Sequence, residues 1–202
     1  MSKDNEGNHL ENLKQYMHQN KTILQFDYAD GEGFYISEKM NPINFPKSYI
    51  ISADYLIEAS KGDEMGSVIV WPVLYLYRHA VELFLKQALQ KLQESTGGHD
   101  ISKLYGLLES KLKAFEIQHK DRLKKFDLFP SEDDFFSIMQ FHSISPRSTE
   151  LRYTDAGLVG GDSHMLFANF TYARSHARRA SDYFDKLDNI IQFINTEAKP
   201  DE

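Results

Sequence analysis

The sequence predicts an all-α fold: an up-and-down bundle of four to five helices with a small N-terminal β-hairpin-like extension. Three observations carry this expectation. Toward the C-terminus, Leu166, Phe170, Ala173, Ala177, Ala180, Phe184, Leu187, Ile191 and Ile194 recur at alternating spacings of four and three residues. That is the repeat of a helix burying one stripe. A second series, Leu74, Tyr77, Val81, Phe84, Ala88 and Leu92, keeps helical spacing through the middle of the chain. Two β-rich runs around a glycine-containing turn lie ahead of residue 45.

Residues 1–20 are polar, with weak helical spacing at Leu10, Leu13 and Tyr16. Thr22 to Tyr28 and Phe34 to Ile36 flank Asp30-Gly31-Glu32-Gly33 and read as a hairpin. Asn41-Pro42 and Phe45-Pro46 close this extension. A helix is expected over 47–61, on Ile50, Ile51, Tyr55, Ile57 and Ala59. A second is expected from Trp71 to Glu94, with Pro72 near its N-terminus and Thr96-Gly97-Gly98 as its stop. Asp100 is the natural N-cap of a third helix over 101–115, whose stripe is Leu104, Leu107, Leu108, Leu112 and Phe115. Ser131 to Asp134 opens a fourth through Phe141, and residues 145–161 read as a loop with a short β-like stretch from Glu150 to Tyr153. The last helix is expected over 163–196 with Asp162 or Ser163 as its cap, leaving residues 197–202 as a disordered tail. Its three central alanines allow close approach of another backbone, either the second helix or the same helix of another subunit.

The chain has 202 residues, 41% of them hydrophobic and 13% aromatic, which suits one domain with a packed core rather than a disordered chain. Cysteine is absent, so disulfides, thiolate metal sites and thiol nucleophiles are excluded. The formal charge of −7 gives no general expectation of nucleic-acid binding, although a local basic patch remains compatible with it. The first residues are polar and lack an apolar targeting segment. The apolar run Val68 to Tyr77 stops at Arg78, short of the roughly 20 residues of a membrane span. A cytoplasmic protein with no membrane partner is the expectation.

The chain carries, in order, Arg78-His79-Ala80-Val81-Glu82-Leu83-Phe84-Leu85-Lys86, Gly98-His99-Asp100-Ile101-Ser102-Lys103-Leu104, and Leu151-Arg152-Tyr153-Thr154-Asp155. The alanine-bearing last helix follows. This order of segments over about residues 65–195 resembles the HEPN superfamily, named for nucleotide binding in higher eukaryotes and prokaryotes. The resemblance implies a helical bundle over 46–196, commonly a homodimer. It also implies RNA or a nucleotide as ligand, a nucleotidyltransferase-like partner, and a place in bacterial toxin–antitoxin or phage-defence systems. Nuclease members of the family share an Arg followed, after four to six residues, by a His. None of Arg78, Arg122, Arg147, Arg152, Arg174, Arg178 or Arg179 has a His at that spacing. The sequence therefore departs from the family at the motif that carries cleavage, and whether the chain is an enzyme stays open.

The candidate catalytic residues are Arg78, His79 and Arg152; the candidate ligand-binding residues are Glu82, Lys86, His99, Tyr153, His176 and Arg179. Arg78, Glu82 and Lys86 recur every four residues, either as a polar site in which Arg78 holds a phosphate or as helix ion pairs on a solvated face. In a metal-independent ribonuclease, a ribose 2′-hydroxyl would attack while His79, His99 or His176 served as acid/base. Arg78 or Arg152 would then stabilise the phosphorane. His99 also reads simply as the residue before a helix cap. His79 and Glu82 form a single HxxE pair with no second ExxH, so neither a metal nor another cofactor is expected. The glycines after Arg152 lack a following Lys-Ser/Thr and read as a connection rather than a P-loop. Arg174, Arg178 and Arg179, interleaved with Tyr172, His176 and Tyr183, suit either single-stranded RNA or a solvated helix face. From Lys111 to Lys125 the bases Lys111, Lys113, Lys120, Arg122, Lys124 and Lys125 outweigh Glu116 and Asp121, as an anion-steering patch or an exposed helix end. The competing reading of the whole chain is a non-enzymatic helical interaction protein. A small-molecule enzyme would need a closed pocket lined by Trp71, Tyr75 and Arg78.

Overall fold

Asn44 opens the first helix of the described part of the chain, α1 (Asn44–Ala59), with Pro46 in its first turn. The structure is a computed structural model, and it describes residues 44–61, 66–144 and 169–196. The chain divides into two units, Met1–Met40 and Asn41–Glu202, and every described residue lies in the second. Among the described residues the fold is all-α. The expected hairpin over 22–36 and the β-like stretch from Glu150 to Tyr153 lie outside them.

Helix α1 starts three residues before the expected position because proline at a first turn forfeits no helical hydrogen bond. It buries Ile50, Ala53 and Ile57, one side of a helical wheel, chiefly against α2 (Gly66–Lys91). Helix α2 starts five residues earlier than the sequence suggested, so Pro72 stands inside it rather than at its start. There the ring is exposed, and the Val68 carbonyl that loses its N–H partner can bond water instead. The helix ends at Lys91, three residues before Glu94. Gln93 takes φ 59°, and Glu94 N–H and Gln93 N–H donate to the Leu89 and Gln90 carbonyls, each at 3.0 Å. This is a Schellman cap built on a non-glycine residue. It halts the helix ahead of the glycines.

Asp100 caps α3 (Ile101–Gln118) as expected, its side chain accepting from the Ser102 and Lys103 N–H groups at 2.9 and 3.2 Å. A one-turn helix, α4 (Lys120–Leu123), follows and was not legible in the sequence. Helix α5 (Glu132–Ile144) opens with a reciprocal cap. The Asp134 N–H donates to Ser131 Oγ and the Ser131 N–H to Asp134 Oδ2, both at 3.2 Å. The last helix, α6 (Phe170–Thr196), is capped by Asn169, whose Oδ1 accepts from the Thr171 and Tyr172 N–H groups at 3.0 and 3.2 Å. The cap is thus Asn169 rather than Asp162 or Ser163.

Helix α2 is central and packs against α1, α3, α5 and α6. Named contacts give the directions. Lys47 meets Asp185, and Arg174 meets Asp54 and Glu58, so α1 runs antiparallel to α6. Phe84 stacks on Phe184 at 5.4 Å, and Lys91 pairs with Asp188 farther along both helices, so α2 and α6 run parallel. His99 meets Glu82 while Lys111 meets Glu94, so α3 also runs parallel to α2. The strict up-and-down alternation expected from the sequence is therefore broken. The segment from Leu92 to Asp100 returns along α2 before α3 begins, which a short turn would not do.

The regular seam of α6 is buried at Ala177, Ala180, Phe184, Leu187, Ile191 and Ile194. Its neighbours are α2, α5 and α1 of the same chain, which answers the choice between an internal partner and another subunit for this stripe. By length and composition alone, Val68–Lys91 is a helix long and apolar enough to cross a membrane, although the run from Val68 to Tyr77 is not. Of its apolar window, 56% is buried inside the protein, where it supplies the core.

Candidate functional site

Arg78, Glu82 and Lys86 lie one helical turn apart on α2, and the segment leading into α3 brings in a fourth residue, His99. Arg78 and Glu82 are each only 1% exposed. The Arg78 guanidinium donates to Glu82 Oε2 at 3.1 Å and to the backbone carbonyl of His99 at 2.7 Å. Lys86 Nζ donates to Glu82 Oε1 at 2.9 Å, and His99 Nδ1 lies 2.7 Å from the same oxygen. Burial pushes the Glu82 carboxyl up, but the bonds and charges of Lys86 and His99 outweigh it and hold the group below the usual carboxylate range. The carboxylate therefore accepts, and His99 Nδ1 is the donor. Both the ring and the backbone of His99 are gripped by α2. Buried charge stays buried here because it is paired on each side. The cluster opens outward at its edge, where the side chains of His99 and Lys86 are 52% and 24% exposed.

The cluster thus unites four candidate residues, Arg78, Glu82, Lys86 and His99. It does not include His79. That imidazole faces another side of α2, edge-on to Tyr49 at 4.7 Å and stacked with Tyr75 at 5.6 Å. His176 is separate again, on α6, with its Nδ1 3.0 Å from Ser137 Oγ on α5. Burial and the nearby Arg179 push its imidazole down, favouring the neutral form. Arg179 itself pairs with Asp133 at 2.9 Å. Arg152 and Tyr153 lie outside the described residues.

A second polar junction was not legible in the sequence. Asp54 on α1 accepts from the Tyr77 hydroxyl at 2.5 Å, from Arg174 Nε at 3.0 Å and from an Arg178 amino group at 2.7 Å. Burial pushes the Asp54 carboxyl up, but Tyr77, Arg178 and Arg174 outweigh it and lower it. Burial, reinforced by Asp54, pushes the Tyr77 phenol up, so it remains a hydrogen-bond donor at neutral pH. The one signal was an acid placed beside Ala53 on the buried side of α1. The arginines expected either to bind RNA or to line a solvated face pair with Asp54, Glu58 and Asp133, while the side chains of Arg178 and Arg179 stay 60% and 46% exposed. In the basic run, Lys111 pairs with Glu94, Lys113 with Glu109 and Lys124 with Asp121.

Among the described residues no group of three or more His, Asp or Glu side chains is arranged to hold a metal ion. A shallow concavity between α2 and α6 is lined by Phe84, Ala88, Lys91, Phe184, Asp188 and Ile191, and includes none of Trp71, Tyr75 and Arg78. No protein-family model, curated protein or solved structure matches the chain.

Proposed function

We propose that the chain is a HEPN-like helical-bundle module, working as a homodimer, that engages RNA or a nucleotide. Its setting in this reading is a bacterial toxin–antitoxin or phage-defence system, in the cytoplasm, with a nucleotidyltransferase-like protein as a partner. One observation carries the reading. Two of the segments that bear the resemblance, Arg78 to Lys86 and Gly98 to Leu104, meet in a single cluster with a half-exposed histidine and a lysine at its edge. Geometry favours His99 and Lys86 as the groups that meet a ligand. It disfavours Arg78 as the group that stabilises a phosphorane, because the guanidinium is buried and bonded to Glu82 and the His99 carbonyl. If RNA is cleaved, His99 is accordingly the acid/base to test first, ahead of His79 and His176.

The test is binding and turnover with full-length protein. A nucleotide or short RNA at about one hundred times its dissociation constant stabilises a protein by about 2.7 kcal/mol. Thermal unfolding with nucleotides, and incubation with mixed RNA, should show that stabilisation or cleavage, and His99→Ala and Lys86→Ala should diminish it. The absence of both stabilisation and cleavage would overturn the proposal.

The second reading, a non-enzymatic interaction protein, draws on two observations. Arg174, Arg178 and Arg179 bond within the chain, and the outer side of α1 and the start of α2 expose Ile51, Tyr55, Val68 and Trp71. A defined oligomer indifferent to RNA and nucleotides favours this reading.

A further inference from the structure

We infer that the outward face of α2 from Val68 to Leu83 is the contact surface of the homodimer, met by the same face of a second copy. This rests on the homodimer of the reading above and adds where the two copies meet. Val68, Pro72, Tyr75, His79 and Leu83 follow one another at spacings of four, three, four and four residues, so all five share one side of the helix. That side points away from the core. Val68 is 63% exposed, Pro72 is exposed, and Tyr75, His79 and Leu83 are partly exposed. Over roughly four turns the stripe holds no lysine, arginine or carboxylate. The outward side of α6, by contrast, carries Arg178, Arg179, Asp182 and Lys186. A surface helix turns charge toward water, whereas a helix that is apolar on every side is covered on every side. Helix α2 packs against four other helices of the chain, yet only 56% of its apolar window is buried.

A second copy fits this face in extent and in charge. The stripe is about 22 Å long at the helical rise per residue. Helix α1 widens it: Tyr49 lies edge-on to His79 at 4.7 Å, and Phe45, 44% exposed, lies edge-on to Tyr49 at 5.5 Å. Two adjacent helices present a width of about 20 Å. Counted flat, two such faces bury about 900 Å² together, close to the roughly 1,000 Å² that marks a specific interface. Each copy has a formal charge of −7, and a self-complementary contact through an uncharged stripe sets no like charges opposite each other. The same net charge opposes an anionic lipid surface. The stripe is also shorter than the hydrocarbon core of a bilayer, about 30 Å. A two-fold axis near Tyr75 sets Val68 against Leu83 of the second copy and leaves Lys86 beyond the stripe, at the rim of the contact.

The experiment is sedimentation equilibrium of the full chain over a concentration series, with circular dichroism to confirm that each variant is folded. Wild type should dimerise. Val68→Glu and Leu83→Glu should each raise the dimer dissociation constant by at least about tenfold, because each sets two carboxylates into an apolar contact. Val68 is the more exposed of the two, so a folded Val68→Glu suffices if Leu83→Glu does not fold. Tyr55→Glu is the control. Tyr55 is 72% exposed but lies about 120° around α1 from Tyr49, and its change should leave the constant within about twofold. A dimer that withstands Val68→Glu, or is weakened as much by Tyr55→Glu, overturns the inference and leaves the homodimer standing. A monomer at every concentration overturns both. If that monomer sediments with vesicles of phosphatidylcholine and phosphatidylglycerol, lipid rather than a second copy covers the face. RNA or nucleotide binding is read separately and stands or falls by its own test.

Discussion

Glu82 is the residue on which the candidate site turns. It accepts from Arg78, Lys86 and His99 while almost wholly buried, so losing Arg78 strips one carboxylate oxygen of this donor and leaves the buried charge to Lys86 and His99. Truncating one member of a buried pair typically costs about 3–5 kcal/mol. Arg78→Ala should lose stability in that range in urea unfolding, whereas the double change Arg78→Met with Glu82→Leu should lose less than Arg78→Ala alone. The pH dependence follows from the lowered carboxyl. A depressed folded pKa means that the stabilisation is complete above the unfolded value and is lost as pH falls through the folded one. Wild type should therefore lose stability below about pH 4.5 more steeply than Glu82→Gln, read by acid titration of the helical signal. Three of the cluster's four residues were legible in the sequence as a group: the four-residue spacing of Arg78, Glu82 and Lys86 depends only on helix geometry. The part His99 plays was not, because it requires the chain to double back along α2.

At the scale of elements, starts and stops obey local chemistry except where a longer-range demand prevails. Asp100 and Ser131 cap their helices as their sequences suggest. Gln93 is the exception, a non-glycine residue at positive φ. Left-handed backbone costs about 1–2 kcal/mol for a residue with a Cβ, part of which glycine returns as unfolded-state entropy. Gln93→Gly should therefore raise unfolding stability by about 0.5–1 kcal/mol in denaturant titrations. The alanines of α6 set how closely it approaches its neighbours. Ala180 has no exposed surface, and Ala180→Leu should cost about 1–3 kcal/mol through overpacking, measured as a lower Tm. Periodicity revealed this seam because burial on a helix repeats locally. It could not name what the seam packs against.

At the scale of the molecule, Asp54 fastens α1 to α2 and α6 through Tyr77, Arg174 and Arg178. Asp54→Ala leaves a buried phenol and a guanidinium short of an acceptor, at a cost of about 1–3 kcal/mol per unsatisfied group. One cooperative transition should persist at a lower midpoint, and a separate early loss of α1 would show that the fastening is local. The same junction occupies Arg174 and Arg178, so the α6 arginines contribute less to a nucleic-acid surface than their number suggests. Partners 120 and more residues apart in sequence could not have been paired by spacing.

What the sequence by itself determined was the all-α class, the stripes each helix buries and the residues of the α2 cluster. Each of these follows from side-chain repeat and cap chemistry within a few residues. Only the tertiary structure decided that α2 and α3 run parallel, that the α6 seam closes within one chain, and that His99 rather than His79 joins Glu82. Those outcomes depend on where the chain returns after each helix, and the return is set by burial of apolar stripes and pairing of buried charge across the whole fold.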